Sequence, residues 1–184
     1  MVRLSVPISL RKEKQADMPA ANLISMAFLD RRVGHILDDT ALLWSVAQEM
    51  RRIKDYNMGL ALIRCLNWIS RLGDWFCLFL RSPMCMATAV LTNLGRPFAG
   101  SQLVDAEGYL CTGNLRMTGL DTMPPVRHKT RATISVNTYA GKFSATIRYD
   151  SRVWTSADAD TFLADYMAEL HQASTPVGRA MVKP

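Results

Sequence analysis

Histidine is scarce in this chain: three residues in 184, at His35, His128 and His171. Any proton transfer through an imidazole has to use one of these three. Cysteine is nearly as scarce, and Cys65, Cys77, Cys85 and Cys111 form no Cys-x-x-Cys pair, which argues against a zinc site or a dithiol redox motif. Their apolar neighbours point to free thiols, buried in a reducing compartment. Long apolar runs are missing as well. The greasiest stretch, Trp75 to Leu80, ends at Arg81 and Pro83, far short of the roughly 20 residues that span a bilayer. The first residues include Arg3 and Pro7 and then a charged cluster, with no signal-peptide core. No Gly-x-Ser-x-Gly elbow, phosphate-binding glycine loop, dinucleotide fingerprint or internal repeat occurs. The expectation is a cytoplasmic protein with no membrane span, no metal and no covalently bound cofactor.

What is present suits a packed domain. Hydrophobic residues make up 49% and charged residues 21%, which excludes a disordered or fibrous chain. At about 150 residues per domain, one compact unit or one lobe of a larger assembly is expected. The reading is a single lobe over residues 1–173, followed by a flexible tail, 174–184, that contains Pro176, Gly178 and Pro184. Twenty-two basic against sixteen acidic residues leave a charge of +6, which favours anionic partners. The basic residues fall in small groups, Arg31/Arg32, Arg51/Arg52/Lys54 and Arg127/Lys129/Arg131. They form no aromatic-interleaved stripe, so a basic nucleic-acid-binding domain is only a secondary alternative.

Periodicity divides the chain into elements. Residues 2–10 alternate apolar and polar, a half-buried strand that Pro7 should place at a sheet edge or make irregular. A polar loop from Arg11 to Pro19 precedes a second β-like run, Asn22 to Leu29. From Asp39 to Asp55, Leu42, Leu43, Val46, Ala47, Met50 and Ile53 recur at helical spacing, with Asp38, Asp39 and Thr40 placed to cap the first turn. A second helix is expected from Met58 to about Leu72, with Ala61, Leu62, Cys65, Leu66 and Ile69 inward and Arg64 and Arg71 outward. Trp75 to Leu80 fits either a short helix or a buried connection. Cys85 to Thr92 reads as a strand covered on both faces. Short β patterns punctuated by Gly108, Gly113 and Gly119 follow. Two strands, Arg131–Thr138 and Lys142–Tyr149, are joined at Ala140-Gly141. The last helix runs from about Ala157 to Ala173, capped by Thr155 or Ser156, with Asp158 and Asp160 at its positive end and Phe162, Leu163, Tyr166, Met167 and Leu170 inward.

The histidines offer little chemistry on their own. His171 sits where it would stabilise the carbonyl end of the last helix, and His128 lies in a basic loop. His35 stands four residues before Asp39 in a His-x-x-x-Asp pattern, the arrangement in which an imidazole base is aimed by a carboxylate-braced loop. Two fixed residue types in five positions arise readily by chance. The plainer reading is that Asp38 and Asp39 cap a helix while His35 is a loop residue.

The order of several short motifs carries more. Val-Arg-Leu-Ser-Val-Pro-Ile-Ser-Leu-Arg (2–11) followed by Ala-Asn-Leu-Ile-Ser-Met (21–26) resembles the segment that opens the C-terminal half of the condensation-domain and CoA-dependent acyltransferase superfamily. That superfamily includes chloramphenicol acetyltransferase, peptide-synthetase condensation domains and the wax ester synthase/diacylglycerol acyltransferase group. Val90-Leu91-Thr92-Asn93-Leu94-Gly95 is similar to its Ser-Asn-Leu-Gly strand end. Ile134 to Lys142, continuing to Tyr149-Asp150, resembles the hairpin before its final helix. Together these motifs cover residues 2–173.

The resemblance implies an α/β sandwich lobe, a mixed sheet flanked by helices as in chloramphenicol acetyltransferase. It implies acyl transfer from a CoA or carrier-protein thioester to a hydroxyl or amine, with Thr92 and Asn93 on the side of the tunnel where the oxyanion develops. The family's base lies in an His-His-x-x-x-Asp-Gly motif in the other half. Gly34-His35 and Asp39-Thr40 reproduce neither the doubled histidine nor the final glycine. The expectation is therefore a lobe inactive alone, partnered by a separate N-terminal lobe or by itself as a homo-oligomer. The alternative is a non-catalytic interaction or oligomerisation module built on the same lobe.

Overall fold

The computed structural model describes residues 1–11, 23–35, 39–71, 73, 77–78, 81, 87–126 and 130–174. In chain order these form β1 (Val2–Ser9), β2 (Ile24–Arg31), one 3-10 turn (Val33–His35), α1 (Asp39–Asp55), α2 (Met58–Ser70), β3 (Ala87–Asn93), β4 (Cys111–Thr112), β5 (Leu115–Arg116), β6 (Thr130–Tyr139), β7 (Lys142–Tyr149) and α3 (Ser156–Ser174). Five strands make a mixed sheet in the order β2-β1-β3-β6-β7, and β4 and β5 make a second, two-stranded one. This is the α/β class expected. The chain divides into a first unit up to Thr88, joined by Ala173 and Ser174, and a second unit, Ala89–Gln172. The expected tail from residue 175, His128, Cys85 and most of the Trp75–Leu80 stretch lie outside the described residues.

In the first unit β1 and β2 are antiparallel, with Leu4 opposite Leu29, Val6 opposite Ala27 and Ile8 opposite Ser25. Period-two alternation puts Leu4, Val6, Ile8, Ala27 and Leu29 on one face, where Val46, Met50 and Ile53 of α1 cover them. Fully burying each aliphatic side chain stabilises the unit by roughly 2 kcal/mol before conformational entropy is counted. At the sheet's rim Arg3 grips Asp30 through Nε at 2.6 Å and Nη2 at 2.7 Å, and Arg31 reaches Glu49 of α1 at 2.8 Å.

Three expectations change here. Pro7 neither puts β1 at an edge, because β1 lies between β2 and β3 and the edge strands are β2 and β7, nor breaks its register with β2, which runs through Pro7 opposite Met26; a proline removes one donor from one side of a strand, and the remaining residues still pair. The inward face of α2 is Gly59, Leu62, Ile63 and Ile69, rotated from the expected one, with Ala61 and Cys65 exposed. The cause is Gly59. A Cβ there would stand 2.6 Å from Ile8 Cδ1, so the missing side chain lets the helix seat against β1, and the buried Ser25 hydroxyl donates to the Gly59 carbonyl at 2.6 Å. Lastly, Cys65 and Cys77 are free but exposed, as are Leu66 and Leu78 next to them in sequence.

In the second unit β6 and β7 form the expected hairpin, with Ile134 opposite Ile147, Val136 opposite Ala145 and Tyr139 opposite Lys142. Ala140 (φ 46°) and Gly141 (φ 75°) both take positive φ, the backbone of a two-residue turn whose twist matches the strands. A run of rings, Tyr149–Trp154, Trp154–Phe162 and Phe162–Tyr166, with centroids 6.4, 5.4 and 6.3 Å apart, fastens the end of β7 to α3. Thr155 caps α3. Its hydroxyl accepts from Asp158 N at 3.2 Å while Asp158 Oδ2 accepts from Thr155 N at 2.8 Å, a reciprocal capping box that also holds the Asp158 carboxyl below its usual range. His171 lies in the last turn of α3, where a cation favours the carbonyl end.

Candidate functional site

The candidate residues, Thr92 and Asn93 from the resemblance and His35 from the His-x-x-x-Asp pattern, converge only in part. Thr92 and Asn93 end β3 in the second unit, Thr92 half-buried and Asn93 exposed. Asn93 Oδ1 accepts from Gly95 N at 2.8 Å, an Asx turn that Gly95 completes at φ 65°. Leu94 N then donates to Val136 O at 2.9 Å, and Gly95 O accepts from Thr138 N at 2.8 Å. The Asn-Leu-Gly sequence is thus the device that ends β3 and ties the turn to β6. His35 closes the 3-10 turn of the first unit and Asp39 opens α1; Asp38 lies outside the described residues. The histidine and the Thr92-Asn93 pair therefore belong to different units.

Sequence reasoning missed a buried polar feature of the second unit. Odd-numbered β6 residues Thr133, Ser135 and Asn137 are all buried, opposite in facing to the apolar Ala132, Ile134 and Val136. The irregular segment after β5 supplies their partners. Thr122 Oγ1 lies 2.9 Å from Ser135 Oγ and accepts from Asn137 Nδ2 at 3.3 Å, and the Thr133 hydroxyl donates to Pro125 O at 3.3 Å. Asn137 Oδ1 is buried and unpartnered. The signal was visible, since Thr, Ser and Asn alternate with Ala, Ile and Val, but alternation normally marks a solvated face. Only the tertiary cover of the irregular segment makes it a buried one.

Beside it, residues 105–116 form a charged knot. Asp105 Oδ1 accepts from Glu107 N at 3.0 Å and Tyr109 N at 2.9 Å, and Arg116 bonds Asp105 at 3.0 Å and also Glu107, its guanidinium 4.0 Å over the Tyr109 ring. The Tyr109 amide, above all, holds the Asp105 carboxyl below its usual range. Burial, with Asp105 beside it, pushes the Cys111 thiol up, opposite to the lowering that activates a cysteine nucleophile. Among the described residues, no three His, Cys, Asp or Glu gather as ligands for a metal ion.

Asp150, at the end of the family-like Tyr-Asp pair, builds a turn. Its carboxylate takes Arg152 Nε at 2.9 Å, Nη2 at 2.7 Å and the Arg152 amide at 3.0 Å. The Arg152 side chain first, then its amide, lowers the Asp150 pKa from 3.8 to about 2. A carboxylate depressed in the folded state stabilises it above the unfolded value and loses that contribution as pH falls. Acid should therefore erode stability from near pH 3.8 down to about 2. Asp150→Asn should flatten that limb of a pH–melting profile. An unchanged slope would show that the carboxylate is not so held.

Comparisons with protein-family models, with curated proteins and with solved structures give no match. Among the described residues no helix is long and apolar enough to cross a membrane.

Proposed function

We propose that this chain is a lobe of the acyltransferase type that binds an acyl thioester but does not transfer the acyl group by itself. The observation that carries the reading is the order of parts. Two strands, two helices, a strand closing in Thr92-Asn93-Leu94-Gly95, a hairpin closing in Tyr149-Asp150 and a final helix follow one another as the resemblance implies. Thr92 Oγ1 and the Asn93 side-chain amide nitrogen are the donors on which a developing oxyanion would draw, because the Leu94 and Gly95 amides are already spent on Val136 O and Asn93 Oδ1. The catalytic deficit follows from residue chemistry. The chain contains no His-His-x-x-x-Asp-Gly motif, and general-base assistance of the usual kind is worth roughly 10²–10⁴-fold.

The test is thiol release from a panel of acyl-CoA esters with alcohol and amine acceptors, together with direct titration of the same esters. The expected result is saturable ester binding, no transfer above the uncatalysed rate, and no effect of His35→Ala on either measurement. Transfer abolished by His35→Ala would overturn the deficit and make His35 the base. Absence of any ester binding would remove the acyltransferase reading and leave the interaction module, which the exposed apolar residues of α1 and α2 favour.

A further inference from the structure

We propose that the outward face of the α1–α2 hairpin docks the protein on an anionic phospholipid surface. Both helices lay their inner faces on the first unit's strands, through Val46, Met50 and Ile53 of α1 and Gly59 of α2. What remains outward on a water-facing helix should be polar. Instead Trp44 is 54% exposed and Trp68 is 64% exposed, and Leu43, Tyr56, Met58, Leu60 and Leu66 are exposed with them. Seven large apolar or aromatic side chains within one helical hairpin make a patch of the kind that marks an interaction surface.

Charge selects the partner. Residues 39–71 hold five basic side chains, Arg51, Arg52, Lys54, Arg64 and Arg71, against three acidic ones, Asp39, Glu49 and Asp55, and Glu49 is already held by Arg31. All five basic residues are exposed. α2 itself contains no acid. Leu60, Arg64 and Trp68 follow at intervals of four and Arg71 three later, so they share one stripe; on α1, Trp44 and Arg51 lie two turns apart on the outward side.

Basic heads and indoles interleaved on one face suit the boundary between headgroups and acyl chains. There indoles sit at headgroup depth and long basic side chains keep their charge in contact with lipid phosphate. A protein partner would have to match the shape of two exposed tryptophans, whereas a fluid lipid surface conforms to them. The length of α2, 13 residues, fits a helix lying in the interface and not one spanning it. This inference stands independently of the acyltransferase reading, because it uses neither β3 nor β6.

The experiment is co-sedimentation of the full chain with vesicles of phosphatidylcholine alone and of equimolar phosphatidylcholine and phosphatidylglycerol, with tryptophan emission recorded alongside. Binding to the anionic vesicles only, a blue-shifted emission, and weakening as NaCl rises from about 0.05 to about 0.5 M are expected. Arg51→Gln/Arg64→Gln/Arg71→Gln should weaken partitioning about 100-fold, at one basic residue's usual contribution each. Trp44→Ser/Trp68→Ser should weaken it at least roughly ten-fold and remove the blue shift. Leu115→Ser, at an exposed apolar residue of the second unit, should change nothing. Circular dichroism melts of each variant separate lost binding from lost folding, and the outward positions should leave them unchanged. No binding at low salt, equal binding to neutral vesicles, or equal loss in Leu115→Ser would overturn the proposal. So would a self-association that Trp44→Ser/Trp68→Ser abolishes in a chain indifferent to vesicles, since the face would then belong to a second copy.

Discussion

Asn137→Asp should cost about 4 kcal/mol of stability at pH 7 and almost nothing near pH 3.5. The substitution changes one terminal group and hardly any volume, so packing is not the variable. Asn137 is 1% exposed, its amide nitrogen has only the Thr122 hydroxyl at 3.3 Å, and its oxygen has no partner. A carboxylate in that position would be desolvated and would find at most one hydroxyl donor. Burial of this kind raises a carboxyl pKa by up to 3–5 units, and each unit is worth about 1.4 kcal/mol. The sign follows from linkage. A folded-state pKa raised above the unfolded value near 4 leaves the variant unpenalised while both states are protonated. The penalty then grows as pH rises until the folded group itself ionises. Chemical denaturation of the variant and the parent at each pH checks this, and the acid sensitivity contributed by Asp150 cancels in the difference. A loss of the same size at both pH values would show that the polar stripe of β6 is in contact with water.

That stripe also marks where sequence reasoning stops. Elements whose signals are local were legible. α1 begins and ends at Asp39 and Asp55 as its spacing requires, Thr155 caps α3, and Gly141 turns the β6–β7 hairpin. Each depends on residues within about one turn of helix or one hairpin loop. The errors share the opposite property. The face of α2 is set by Gly59 meeting Ile8 and Ser25, residues far away in sequence. The rank of β1 in the sheet is set by β3, not by Pro7. The burial of Thr133, Ser135 and Asn137 is set by an irregular segment with no periodicity to read. The candidate site divides along the same line. Asn93 and Gly95 were legible as a strand end and turn, but the engagement of Asn93 Oδ1 by Gly95 N, which decides what Asn93 can offer a substrate, is a matter of geometry.

Tyr139→Ala should destabilise the protein by about 4 kcal/mol, and Tyr139→Phe by about half of that. The ring is 5% exposed at the end of β6 and meets Tyr109 edge-on, with centroids 6.1 Å apart. Its hydroxyl donates to Met117 O at 2.7 Å and accepts from Leu110 N at 2.9 Å. These two backbone groups flank β4 and β5, strands of two residues each, too short to be stable alone. One phenol therefore supplies both the apolar anchor and two of the hydrogen bonds that fix the 103–117 segment on the hairpin. Deleting the ring loses transfer energy and leaves a cavity; deleting the oxygen alone strands an N–H and a C=O in partly buried surroundings. Gly108 adds to the closeness of the fit, since its φ is 89° and a Cβ there would come within 3.3 Å of Ala140 Cα. Hydrogen exchange separates the two contributions. In Tyr139→Phe the amides of Leu110 and Cys111 should lose protection, while those of Ile134 and Val136 keep theirs apart from the global change. Uniform loss across β6 and the 103–117 segment would mean that the phenol supports the whole sheet and that the segment is not a separate attachment.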